Sequence, residues 1–97
     1  MQTYVVLENW TDLGIRDFGG SQERAEASAT VMAKLGVRMK DVYWTMGPYD
    51  LVSVVEAPSD EAVSAALLAD AAKGNVRTTT LRAFSRDEMA GVARLLD

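Results

Sequence analysis

Residues 45–56, TMGPYDLVSVVE, constrain this chain more than any other stretch. A polar turn, Gly47-Pro48-Tyr49-Asp50, stands between two runs rich in β-branched and aromatic residues. Proline suits the second position of a turn because its ring already fixes φ. Gly47 tolerates the restriction that a following proline imposes. Residues 37–46 and 51–57 are therefore expected to be adjacent antiparallel strands near the middle of the chain. Whatever lies on either side must be compatible with that hairpin.

Residues 3–10, TYVVLENW, read as a first strand, and residues 75–84, NVRTTTLRAF, as a fourth. The glycines of residues 11–20 mark a loop with room for one helical turn. Ser21 is expected to cap a helix carrying Ala25, Ala29, Met32 and Leu35 on one stripe, with Gly36 ending it. A second helix follows Pro58: Ser59 caps it, Asp60 and Glu61 complement its positive end, Val63, Ala66 and Leu67 form its apolar stripe, and Lys73-Gly74 close it. Ser85 and Glu88 form a capping box ahead of a terminal helix whose apolar face is Met89, Val92, Ala93 and Leu96. Met32, Met46 and Met89 are read as packing residues.

The order is β-α-β-β-α-β plus a helix, the split βαβ or ferredoxin-like arrangement of the α+β class. Right-handed crossovers give a four-stranded antiparallel sheet of order 4-1-3-2, with both main helices on one face. At 97 residues, residues 1–97 form a single domain.

Which side chains face the helices depends on strand phase. If Met46 pairs with Leu51, then Val42 and Trp44 share a face with Leu51 and Val55. The apolar set Val5, Leu7, Val42, Trp44, Met46, Leu51, Val55 and Leu81 is assigned to the helices. A mixed set is left for the bare face: Tyr4, Val6, Glu8, Trp10, Tyr43, Thr45, Val52, Val54, Thr78, Thr80 and Arg82. Apolar sheet of that extent marks an interface, so a homodimer packed through the helix-free face is expected. The terminal helix is too short to cover a four-stranded sheet and is expected to latch onto an edge or a neighbouring subunit.

Composition narrows the chemistry. The chain has no cysteine and no histidine, which excludes disulfides, thiolate metal sites and imidazole catalysis or ligation. No EF-hand or other paired-carboxylate spacing occurs, and neither a metal nor a cofactor is expected. A net charge of −4 with scattered arginines opposes nucleic acid and anionic membranes as partners. The segment MQTYVVLENW lacks the basic-then-apolar pattern of a signal peptide, and no apolar run is long enough to span a bilayer. A cytoplasmic location is the expectation.

Gly47, Tyr49 and Asp50 match the Gly-x-Tyr-Asp signature of the GYD domain proteins, small proteins found widely in bacteria. The similarity runs along nearly the whole chain: TYVVL and NWTD-x-GIR, then TMG-x-YDLV-x-VVEAP, then GNVRT-x-TLRAF. This resemblance implies a ferredoxin-like fold of the dimeric α/β-barrel kind. It implies no particular reaction.

Topology brings candidate residues to one rim. The first strand ends at Asn9-Trp10-Thr11, where its antiparallel neighbours begin, so Tyr49, Asp50, Asn75 and Arg77 should gather there. In a functional reading Tyr49 or Asp50 exchanges a proton, Arg77 binds an anionic or carbonyl group, and Trp10 walls an apolar substrate between paired sheets. In a structural reading Asp50 accepts amides of the turn or pairs with Arg77, and Tyr49 packs under the loop. Glu8, Tyr43, Thr78, Thr80 and Arg82 form a second candidate group, with Glu8 and Arg82 as an interface ion pair.

Three functions fit these features. One is a homo-oligomeric small-molecule-binding or assembly module. Another is a cofactor-independent isomerase, cyclase or oxygenase acting on a small apolar or aromatic compound in the intersheet cavity, an analogy of fold. The third is a subunit of a larger assembly built through the terminal helix and the exposed edge of the second strand.

Overall fold

Alternating burial organises the first strand, β1 (Gln2–Trp10): Tyr4, Val6 and Glu8 are buried while their neighbours are only partly so. It is an inner strand of a computed structural model that describes residues 1–97. After β1 come a short helix α1 (Asp12–Arg16), a single 3-10 turn, and the long helix α2 (Ser21–Lys34). The central hairpin is β2 (Arg38–Trp44) and β3 (Leu51–Ala57), followed by α3 (Asp60–Ala71), β4 (Val76–Ala83) and α4 (Arg86–Arg94). The sheet order is β2-β3-β1-β4, which is 4-1-3-2 read from the other edge, and all pairs are antiparallel. No helix is long and apolar enough to cross a membrane.

Local chemistry explains most of the boundaries. Ser59 accepts the Ala62 amide, and Ser85 and Glu88 complete the expected capping box. Gly36 and Gly74 end α2 and α3 with φ of +77° and +88°, conformations that suit glycine. Ser21 departs from expectation. It is the first residue of α2 rather than its cap, and its hydroxyl accepts from the Trp44 indole at 3.0 Å. Gly14 of α1 is buried so tightly that a Cβ there would lie 2.0 Å from the Asn75 carbonyl oxygen.

The hairpin departs from the expected pairing. Trp44, not Met46, pairs with Leu51, and Met46 projects into solvent at 97% exposure. That two-residue difference leaves the faces of β2 and β3 unchanged, because side chains alternate with period two. Gly47, at φ +106°, requires glycine. A bulge between Met39 and Asp41 keeps both Met39 and Val42 turned to the helices.

The phase of β1 and β4 is the principal correction. Glu8 lies opposite Leu51, Val6 opposite Ser53 and Tyr4 opposite Val55, so Tyr4, Val6 and Glu8 face the helices. Thr78, Thr80 and Arg82 pair with those same β1 residues and share their side. Val5, Leu7 and Leu81 take the opposite face, with Val52, Val54 and Tyr43. The core is built from Tyr4, Val6, Met32, Val37, Val55, Ala57, Val63, Ala66 and Leu67. Tyr4 enters it because its hydroxyl donates to Asp60 Oδ1 at 2.5 Å, which satisfies the one polar atom the ring would otherwise strand.

α4 stands apart. None of its residues is buried, and Met89 is 53% exposed rather than packed. It is tied to the sheet through Arg82, which bonds Glu88 at 3.1 Å and lies 4.6 Å from the centre of the Phe84 ring. The Ser85 amide and the Arg82 guanidinium together hold the Glu88 carboxyl below its ordinary pKa.

Candidate functional site

The rim assembled by topology is present, and several of its residues bond one another. Asp50 Oδ2 accepts the Trp10 amide at 2.9 Å, while the Asp50 amide donates to the Glu8 carbonyl at 2.8 Å. Asn9 donates to the Pro48 carbonyl at 2.7 Å, closing the turn against the end of β1. Thr11 donates to the Gly74 carbonyl at 2.5 Å and accepts the Gly14 amide at 3.1 Å, and its own amide reaches the Asn75 carbonyl. Asp50 therefore satisfies the final amide of β1 and not the amides of its own turn. It forms no ion pair with Arg77, which is exposed on the open face. Tyr49 is half-buried, and its carbonyl accepts from Thr45.

The second candidate group is split between faces. Tyr43 is exposed on the open side, whereas Glu8, Thr78, Thr80 and Arg82 belong to the helix side. Glu8 and Arg82 form no pair; Arg82 is held by Glu88 near the opposite end of β4.

A partly open cavity of about 90 Å³ lies between the sheet and helices α2 and α3. Its floor is Glu8 of β1 and Ser53 of β3. Ser28 of α2 and Asp70 of α3 form the polar part of its helix wall, Trp10 and Asn75 stand on the rim side, and Met39, Val42, Leu51 and Val76 make the apolar lining. Ser28 donates to Asp70 Oδ1 at 2.6 Å and so bridges the two helices.

Glu8 is the unusual group. It is 8% exposed, it makes no ion pair, and its carboxyl opens onto the cavity. Burial, and then the negative charge of Asp70, push its pKa up to about 7. Arg24 lines the same space, but its guanidinium is turned to Asp17 and to the Gly14 carbonyl, at 3.1 Å each. No group of three or more His, Cys, Asp or Glu side chains is placed to hold a metal ion.

Glu8, Trp10 and Asn75 of this cavity stand among the residues that sequence alone singles out; Ser28, Ser53, Asp70 and Lys73 do not. A signal for two of these exists. Ser28 interrupts the Ala25–Met32 stripe, and Asp70 follows Ala66 and Leu67 on the buried stripe of α3. A polar residue on an apolar helix face calls for a buried partner.

The comparisons agree with this architecture. A protein of Thermus thermophilus, named glutamine synthetase and cystathionine beta-lyase binding protein, is 38% identical over 96 residues, spanning 98% of this chain and 99% of that one. The crystal structure of TTHA0845, also from Thermus thermophilus, aligns with 88% of this chain and 95% of its own at 29% identity and a TM-score of 0.56. The crystal structure of FFRP-DM1, at 22% identity and a TM-score of 0.61, covers 87% of this chain and all of its own, and shares the fold. The GYD domain match extends over residues 4–93, from the first core tyrosine into α4, and by that match the chain belongs to the GYD domain family.

Proposed function

We propose that the protein is a homo-oligomeric cytoplasmic binding module, in which two copies pair through their open sheet faces and the pair engages protein partners. One observation carries this reading: no element of the chain covers that face, and its centre is apolar. Val5 lies between Val54 and Leu81, and Leu7 beside Val52, which in turn neighbours Tyr43. Four strands at a spacing of about 4.8 Å and a length of about 20 Å make a face on the order of 400 Å², the size of a monomer's largest patch, which is often functional when apolar. A stable pair needs about 800 Å² from each partner. The exposed Met89 and Val92 of the unpacked α4, with Leu96 just beyond it, supply further apolar area for the neighbouring copy.

The relative named for binding glutamine synthetase and cystathionine beta-lyase supports extending the role to protein partners. A second reading, a cofactor-independent enzyme, is favoured by Glu8 alone, since a carboxyl with a pKa of about 7 in an apolar cavity suits proton transfer. Its reaction space would be the cavity under the helices.

Sedimentation equilibrium tests the assembly. The wild-type chain should be dimeric with a Kd at or below about 1 μM. Val5→Lys with Val54→Lys places two lysines from each copy at the contact and should weaken pairing at least about 100-fold, leaving a folded monomer by circular dichroism. A wild-type monomer at that concentration, or a double variant that stays dimeric, would overturn the proposal.

A further inference from the structure

The cavity under α2 and α3 holds buried acceptors that none of its donors, Arg24, Lys73 and Asn75 among them, is bonded to. Glu8 and Ser53 are 8% and 3% exposed, and both line the cavity. No polar side-chain atom of the chain is sealed away without a partner, so the Glu8 carboxyl and the Ser53 hydroxyl, which bond no other group of the chain, are reached from the cavity they line. Asp70 lines it too, with one oxygen committed to Ser28. Two cationic side chains line it without pairing with Glu8: Arg24 is occupied by Asp17 and Gly14, and Lys73, just past α3, is exposed and forms no ion pair. Two carboxylates in one low-dielectric space repel each other, and a positively charged guest removes that repulsion.

The carboxylate count bears on the kind of cation. A hard metal ion takes six or more oxygens, and no group of three or more acidic side chains is placed to supply them, whereas an ammonium group donates three hydrogen bonds, which the Glu8 and Asp70 carboxylates and the Ser53 hydroxyl can accept. The rest of the wall is hydrocarbon from Met39, Val42, Leu51 and Val76, and Trp10 presents an aromatic ring at the rim. A volume of about 90 Å³ limits the guest to a short body. We propose that this cavity binds a compact primary amine, its ammonium group shared by the Glu8 and Asp70 carboxylates and the Ser53 hydroxyl and its hydrocarbon body lying against Met39, Val42 and Leu51. The site is on the opposite side of the sheet from the proposed dimer face and does not depend on it. Binding favours the Glu8 carboxylate over its protonated form, so near neutral pH, where Glu8 is about half protonated, the arriving ammonium ion displaces up to about half a proton per site to solvent.

The probe is n-butylamine, with n-butanol as its neutral isostere and magnesium chloride as the hard-cation control. Titrations of the purified wild-type protein are followed by amide NMR and by calorimetry near pH 7 in two buffers of different ionisation enthalpy. The expected result is saturable binding of the amine, shifts centred on Glu8, Ser53 and Asp70, and a buffer-dependent heat that reports proton release. Glu8→Gln and Asp70→Asn should each weaken the amine at least about tenfold, or ~1.4 kcal/mol, with proton release lost in Glu8→Gln. Amide dispersion verifies that each variant is folded, and the wild-type proton release stands independently of both. Equal binding of butanol, tighter binding of magnesium at the same residues, no saturable binding of the amine, or variants that bind as well as wild type would each overturn the assignment.

Discussion

The two faces of the sheet invert the usual distribution. The covered face buries Glu8, Ser53 and the hydroxyl-bearing Tyr4, while the open face carries Val5, Leu7, Val52 and Val54, each only partly buried, and the exposed Leu81. On the covered side each of these polar groups has either a partner, as Tyr4 has in Asp60, or an opening onto the cavity, as Glu8 and Ser53 have. On the open side the apolar residues have no helix of their own chain to cover them. The contrast teaches that the fold is closed by its own helices on one side of the sheet only. Under both proposals, the features that violate simple patterning fall where another molecule is met.

The largest expected effect separates packing on the two sides. Met32→Ala, at a residue only 2% exposed, should cost about 2–5 kcal/mol in chemical denaturation. Leu7→Ala, placed in the monomeric Val5→Lys, Val54→Lys background, should cost less than about 1 kcal/mol. Equal losses would mean that the open face is already packed within one chain, and the contrast would collapse.

A smaller effect sharpens the electrostatic side. Glu8 titrates at about 7 in the folded chain against an ordinary 4.5, so between those values the native state holds a proton that the unfolded chain has lost. Stability should therefore fall as pH rises from about 4.5 through about 7, by up to ~3 kcal/mol. Glu8→Gln should flatten this part of the pH–stability curve. A wild-type curve that rises across the same range after subtraction of the Glu8→Gln curve would show that a partner already stabilises the ionised carboxylate.

The smallest effects concern the rim that joins the faces. Asp50→Ala removes the acceptor of the Trp10 amide and should cost about 1–3 kcal/mol. Tyr49→Phe should stay within about 0.5 kcal/mol. If Tyr49→Phe were the more damaging of the two, its hydroxyl, and not the Asp50 carboxylate, would be the lock on the turn.

Much of the fold was legible because its signals are local. Ser59 and the Ser85–Glu88 box cap through bonds made within one turn, Gly36 and Gly74 stop helices by their own φ, and the strand order follows from a hairpin flanked by two crossovers. The rim was legible for the same reason, since antiparallel neighbours must begin where β1 ends, although its residues turned out to bond one another. The cavity was only half visible. Glu8 stood out as a charge on an apolar strand, but no local cue joins it to the distant Asp70 or tells that Arg82 is taken by Glu88.

By itself, the sequence determined the elements, their order and the antiparallel connectivity of the sheet, because caps, turns and periodicity act over a few residues. Only the tertiary structure decided the phase of β1 against β3. A long crossover containing α2 separates β1 from the hairpin, so no turn geometry fixes their register, and a slip of one residue exchanges every side chain between the faces. Apolar content alone selects the wrong phase, because it cannot foresee that Asp60 receives the Tyr4 hydroxyl or that Glu8 opens onto a cavity. Those distant polar contacts make it possible to bury Tyr4 and Glu8, and they leave Val5 and Leu7 on the outside.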